Sequence, residues 1–206
     1  MTGSRGLAFG ACYHIFHRGN NRENIFFEDR NFFFFMRRYA KYIPPIADTY
    51  AYSLLRNHYP LCIRIKTLPE ILGLSQDIGA IRKGNIRPPS RHFSNLLNAY
   101  AKAINKTYHR TGSLFAHPFG RRKVENDRQR RRLIACIHRN PQHHGLAADF
   151  RDWPFSSWHV YASNIEDGIT TKLRFPPIPG GWESWKTSSW KVNGLGEEPL
   201  RIDDFS

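Results

Sequence analysis

The stretch RNHYPLCIRI, residues 56–65, has the alternating pattern of a β-strand and decides the fold. One face of this strand carries Tyr59, Leu61, Ile63 and Ile65, and the other carries His58, Pro60, Cys62 and Arg64. Pro60 is out of place, because proline cannot donate to a β-ladder and is normally confined to an edge strand or a bulge. The pattern leaves open why a histidine is followed, on the same face, by a proline.

The residues around this strand predict the order strand, helix, strand, strand, helix, strand, helix. The strands are predicted at 13–21, 49–55, 58–66 and 120–124, and the helices at 29–43, 90–107, 127–139 and within 153–163. Ser90 and Asp127 are the expected N-caps of the two later long helices, and Asn140-Pro141 is expected to end the second of them. The order predicts an α+β fold of the ferredoxin-like kind, an antiparallel sheet of about four strands flanked by helices. Such a sheet leaves one face free, a surface that nucleic-acid binders often use.

The domain boundaries follow from composition. Residues 1–165 are predicted to form one domain, with a mobile basic insertion at about 67–91 that contains the run RKGNIRPPSR. Residues 166–206 are rich in glycine and proline and end acidic, so we expect a weakly packed or disordered tail.

The charge balance favours a polyanionic partner. Lys and Arg number 31 against 17 Asp and Glu, which gives a net charge of +14 and a pI of about 10.1. A domain this basic is typical of nucleic-acid binders. Three cysteines without metal-ligand spacing fit a reducing compartment, and neither a signal peptide nor a membrane span is evident. We therefore expect a cytoplasmic, nucleoid-associated protein.

Five segments together resemble one family. They are YHIFHRGNNRENIFF, AYSLLRNHYPLCI, LNAYAKAINKTYHRTGSLF, LIACIHRNPQHHGL and WPFSSWHVY, in that order. As a set they resemble the REP-associated tyrosine transposases, which belong to the single-tyrosine HUH transposase superfamily. The resemblance covers about residues 13–163.

The resemblance implies a metal-dependent site for cutting DNA. In the family, a strand motif Asn-His-x-His and a polar helix residue hold Mg2+ or Mn2+, and a tyrosine four residues before that polar residue attacks the DNA phosphate. His58 and Asn140 match two metal positions, but Pro60 stands at the second histidine and Cys136 at the tyrosine. His138 belongs to the same helix motif. We expect metal binding to be weak or absent, because tight sites need three or four ligands, and Cys136 to be inactive.

Basic and polar residues fall in segments that contact DNA in the resembled family. They are Arg18, Asn20, Arg22, Lys102, Lys106, Arg110, Arg121, Arg122 and Lys123. Phosphate contacts need only placed cations, so they survive the loss of chemistry. Other positions depart from the family pattern, namely Pro118, Gly120, Gln129, Arg130 and Arg131.

The sequence thus favours a catalytically inactive relative of these transposases that binds single-stranded or hairpin DNA, as a monomer or homodimer. One alternative is an active, metal-dependent enzyme that nicks and joins DNA. Another is a domesticated regulatory or RNA-binding module that uses the free sheet face.

Overall fold

The computed structural model describes residues 6–74, 87–163 and 169–170. Its antiparallel sheet has the order β2-β3-β1-β4, with β1 at Cys12–Arg18, β2 at Ala47–Tyr52, β3 at His58–Ile65 and β4 at Gly120–Val124. The five helices of the described residues are α1 Asp29–Tyr42, α2 Leu68–Leu74, α3 Pro89–Thr107, α4 Asp127–His143 and α5 Trp158–Ser163. The order of strands and helices confirms the predicted ferredoxin-like α+β fold.

β3 is a central strand in spite of its proline. It pairs with β1 from Arg18–His58 to Cys12–Arg64, whereas its ladder with β2 stops at Tyr52–Leu61. The carbonyl of Pro60 accepts from the Ser53 amide at 3.3 Å, so the proline nitrogen also faces β2. Because that nitrogen carries no hydrogen, the regular ladder between β2 and β3 ends at Leu61 and does not include Pro60.

The aromatic core lies between one face of the sheet and helices α1 and α3. The Phe35 ring of α1 lies 5.0 Å from the Tyr59 ring of β3 and 5.2 Å from the Tyr100 ring of α3. A capping box of Glu28 and Asn31 starts α1 and satisfies its first backbone amides. Phe32 and Phe35 of α1 are thus buried in this core.

Helix α4 packs on the opposite face, over β2 and β3. Its apolar side chains Leu133, Ile134 and Ile137 are buried. Arg130 places its guanidinium over the Tyr50 ring of β2, 5.5 Å from the centroid, and also pairs with Asp127. The expectation of a wholly free sheet face is therefore wrong, because α4 covers the β2–β3 half.

The ends of two helices differ from the prediction. α4 continues through Pro141 to His143, because the Asn140 carbonyl accepts from the His144 amide at 3.0 Å and the turn closes despite the missing N–H. Its N-cap is Asn126, whose side chain accepts from the Gln129 amide. α3 begins with Pro89 after Pro88 rather than at a Ser90 cap, since proline suits the first helical turn.

The predicted insertion at 67–91 is partly helical. α2 occupies Leu68–Leu74, and Glu70 in its first turn accepts from the Thr67 amide at 2.7 Å and from Arg64. Residues 75–86, and residues 166–168 and 171–206 of the predicted tail, lie outside the described residues. Thr170 forms a bridge to Thr49 of β2. Each helix in the described ranges is too short or too polar for a bilayer span.

Among the described residues, four histidines of the sheet strands and of α4 are buried or half-buried. Burial lowers the pKa of His14, His17 and His58 to about 4 and that of His138 to about 3, from an ordinary value of 6.5. These side chains are neutral in the folded protein at pH 7. In the unfolded chain the same side chains have the ordinary histidine pKa of about 6.5 and bind protons below it.

The free energy of unfolding should fall as the pH drops from about 6.5 towards 4, because the unfolded state binds protons that the folded state excludes. This stabilisation is complete above the unfolded pKa. Urea unfolding across this pH range measures the slope. His138→Gln should flatten it by removing one buried titrating group. His143→Gln, at an exposed position of the same helix, is the control. If both variants flattened the pH dependence of the free energy of unfolding equally, the contribution assigned to the buried His138 would be wrong.

Candidate functional site

His58 opens β3 directly opposite Arg18, the last residue of β1. Its Nδ1–H donates to the Asn57 side-chain oxygen at 2.7 Å, which leaves the lone pair on Nε2. The His144 ring meets it edge to face with centroids 4.7 Å apart. Burial, followed by the nearness of His144 and Arg18, holds the pKa of His58 at about 4. At neutral pH the site therefore has an uncharged imidazole beside an arginine.

Asn140 and His144 are one helical turn apart at the end of α4, so both point to the same side of the helix. Asn140 is 4% exposed, and its Nδ2 has no hydrogen-bond partner among the described residues. Across the described ranges, no group of three or more His, Cys, Asp or Glu side chains is arranged to hold a metal ion. Pro60 supplies no ligand on the His58 face of β3, and the imidazole that contacts His58 is that of His144 on α4.

Cys136 lies one turn before Asn140 on the same side of α4. Its thiol is half-buried, and burial raises its pKa, with Arg132 and Arg139 acting in the opposite direction. A thiol with a raised pKa stays protonated at neutral pH and is a poor nucleophile. The geometry thus gives Cys136 no evident activation.

His138 points away from this group. Its Nε2 is bonded to the Ser157 hydroxyl at 2.9 Å, and its ring contacts those of Trp158 and Tyr161 at 5.7 and 5.2 Å. The Ser157 hydroxyl in turn accepts from the Tyr52 amide of β2. His138 therefore joins α4 to the start of α5 and to the sheet.

The turn after β1 brings polar and basic residues to the same edge as His58. The Asn20 amide donates to the Leu114 carbonyl at 3.0 Å, and the Asn57 side chain donates to the Arg22 carbonyl at 3.4 Å. Arg22 has a left-handed φ of 61°. Arg18 and Arg22 are exposed and have no ion-pair partner within the described ranges. The charge of Arg18 thus lies beside His58, and the backbone of Arg22 adjoins Asn57, the residue before His58.

The other predicted DNA contacts are distributed over both faces of the sheet. Arg122 pairs with His14 and shares its face with His58, whereas Arg121 and Lys123 point to the α3 face. Arg110 is bound to Glu23 at 2.7 Å. Lys102 and Lys106 are exposed on α3, the helix on the far side of the sheet from His58. Of the predicted set, Arg18, Asn20, Arg22 and Arg122 lie on the His58 side or at its edge.

Two residues of this surface were missed from the sequence. His144 was overlooked because the predicted helix ended at Asn140-Pro141, although the pair His143-His144 follows directly. Phe16 was counted only as a strand residue. The signal for Phe16 was Gly120, whose position opposite it follows only from the strand register.

Comparison with known proteins shows a likeness in fold. No protein-family model and no curated protein matches the sequence. Among solved structures, the chain is similar to a REP-associated tyrosine transposase bound to a REP hairpin, with a TM-score of 0.58. The similarity covers 85% of this chain and 94% of that chain at 14% sequence identity. At that identity the likeness shows a shared fold.

Proposed function

We propose that this protein binds DNA, as a single strand or a short hairpin, and does not cleave it. The observation that carries the proposal is the placement of Arg18 and Arg22, exposed and without ion-pair partners among the described residues, at the edge next to His58. Unpaired guanidiniums at one edge provide bidentate contacts for phosphate oxygens.

Two further facts support a DNA ligand. The net charge of +14 draws a polyanion to the surface. The transposase with the similar fold was solved with a REP hairpin bound. Because phosphate contacts depend on position and charge alone, a protein of this fold retains them when its chemistry is lost.

The absence of cleavage is proposed from three positions. Pro60 offers no imidazole on the His58 face, and the thiol of Cys136 has its pKa raised by burial. His138 lies between Cys136 and Asn140 in sequence, but its Nε2 is hydrogen-bonded to the Ser157 hydroxyl. Phosphoryl transfer needs an activated nucleophile and a cation or other group that stabilises the developing charge.

Affinity for DNA should depend steeply on salt. The logarithm of the association constant for a labelled hairpin, measured by fluorescence anisotropy, should fall linearly with the logarithm of salt concentration, with a slope of about −0.9 per phosphate neutralised. Arg18→Ala and Arg22→Ala should each reduce the magnitude of that slope by about one. The matched control is Arg30→Ala, at an exposed residue of α1 paired with Glu28. An association constant that does not change with salt concentration would contradict electrostatic binding.

Divalent metal should add little to stability. Manganese at millimolar concentration is expected to leave the melting temperature almost unchanged, because stabilisation requires a ligand concentration above the dissociation constant. Differential scanning fluorimetry with and without manganese measures this. A shift of several degrees that disappears in both His58→Ala and His144→Ala would instead reveal a site built on these two imidazoles.

The wild-type protein should form no covalent adduct with labelled hairpin DNA in magnesium or manganese. Pro60→His alone and Cys136→Tyr alone should also be inactive, since each restores only one part of a unit. Only the double variant is expected to form an adduct, which denaturing electrophoresis detects, and the effects should be non-additive. Adduct formation by the wild type that is lost in His58→Ala would overturn the inactive assignment and favour the active enzyme.

A further inference from the structure

Phe16 lies over a glycine on the face of the sheet that carries His58. It is paired across β1 and β4 with Gly120, and a Cβ built at Gly120 would come within 2.0 Å of the Phe16 Cε2 atom. The aromatic ring thus occupies the space above β4 that any other residue at 120 would fill. Because α4 packs over β2 and β3, the ring remains partly exposed.

The surroundings of the ring are basic. Arg18 follows Phe16 by two residues on the same strand face, and Arg122 follows Gly120 by two residues on β4. Both arginines are exposed. His14 precedes Phe16 by two residues on the same strand face. It is 2% exposed, and its ring lies 5.0 Å from the ring of Phe16. The result is an accessible aromatic ring in a positively charged surface.

We infer that Phe16 is a stacking platform for an unpaired base of bound DNA. The inference rests on the proposed function and specifies which part of the ligand this face recognises. Every base has a π-face, and proteins that hold single strands combine aromatic rings with cations that follow the backbone. Arg18 and Arg122 supply the charge complementary to the phosphates on either side of a base stacked on the ring. Gly120 is then a positioning residue, since it lets the ring lie against β4.

The experiment compares a short oligothymidylate with an abasic strand of the same number of phosphates, using fluorescence anisotropy at low salt. Phe16→Leu should weaken oligothymidylate binding about 5- to 150-fold, the range of one base–aromatic stack, and leave abasic binding unchanged. Phe16→Tyr should retain wild-type affinity for both strands. Phe33→Leu, at a ring 63% exposed on α1, is the matched control and should change neither.

Gly120→Ala provides a test that keeps the ring chemistry intact. The atoms that its Cβ would meet are the ring atoms Cε2, Cζ and Cδ2 of Phe16, so the ring must leave its position against β4. It should therefore reproduce the selective loss for the oligothymidylate while circular dichroism and melting temperature stay near the wild-type values.

The possible outcomes separate the two proposals. Wild type that binds the labelled hairpin but neither strand would overturn the platform alone, whereas wild type that binds none of the three would contradict the proposed function as well. Wild type that binds both strands, with Phe16→Leu weakening both equally or neither, would overturn only the platform and leave Phe16 as a cover for His14. Selective weakening seen with oligouridylate and not with oligothymidylate would overturn the assignment to DNA.

Discussion

The burial of β3 on both faces is the constraint on which the rest of the structure depends. Tyr59 and its same-face neighbours pack against α1 and α3, while Cys62 and Pro60 are buried on the side where α4 packs. A strand covered on both sides must satisfy its backbone within the sheet. Pro60 removes one hydrogen-bond donor on the β2 side, so the ladder between β3 and β2 ends beside it. The ladder between β3 and β1 remains complete. Two backbone hydrogen bonds still join the start of β3 to the chain that follows β2, from the Ser53 amide to the Pro60 carbonyl and from the Leu55 amide to the His58 carbonyl.

The sequence was most informative where periodicity acts locally. The alternation in residues 58–65 and the helical periodicity of residues 29–43 depend only on side-chain direction, and the strand and the helix predicted there match the structure. Helix ends were less predictable. Pro141 is normally a stop, yet α4 packs on the sheet and the His144 amide donates to the Asn140 carbonyl, so the helix continues through the proline. Tertiary packing outweighed a local rule there, as it often does for helical stability.

The candidate site was predictable only in part for the same reason. His58, Arg18 and the turn at Asn20 are close in the folded chain because β1 and β3 pair, as in the ferredoxin-like fold that the order of elements predicts. His144 reaches His58 through the extra turn of α4, and Phe16 reaches Gly120 through the register of β1 with β4. A shift of one residue in that register would place every side chain on the other face. Sequence reasoning without a register therefore could not find either contact.

The residues near His58 and the residues that stabilise the fold are largely different. A buried Asn140 amide without a described partner costs about 1–3 kcal/mol in a protein interior. Arg18 and Arg22 are exposed and form no ion pair within the described ranges, so they contribute little to holding the fold together. The packing that stabilises the protein lies instead in the aromatic layer between the sheet and helices α1 and α3, and in the His138–Ser157 connection. Since the two sets of residues scarcely overlap, changes at the Arg18–His58 edge alter ligand contacts while the core remains intact.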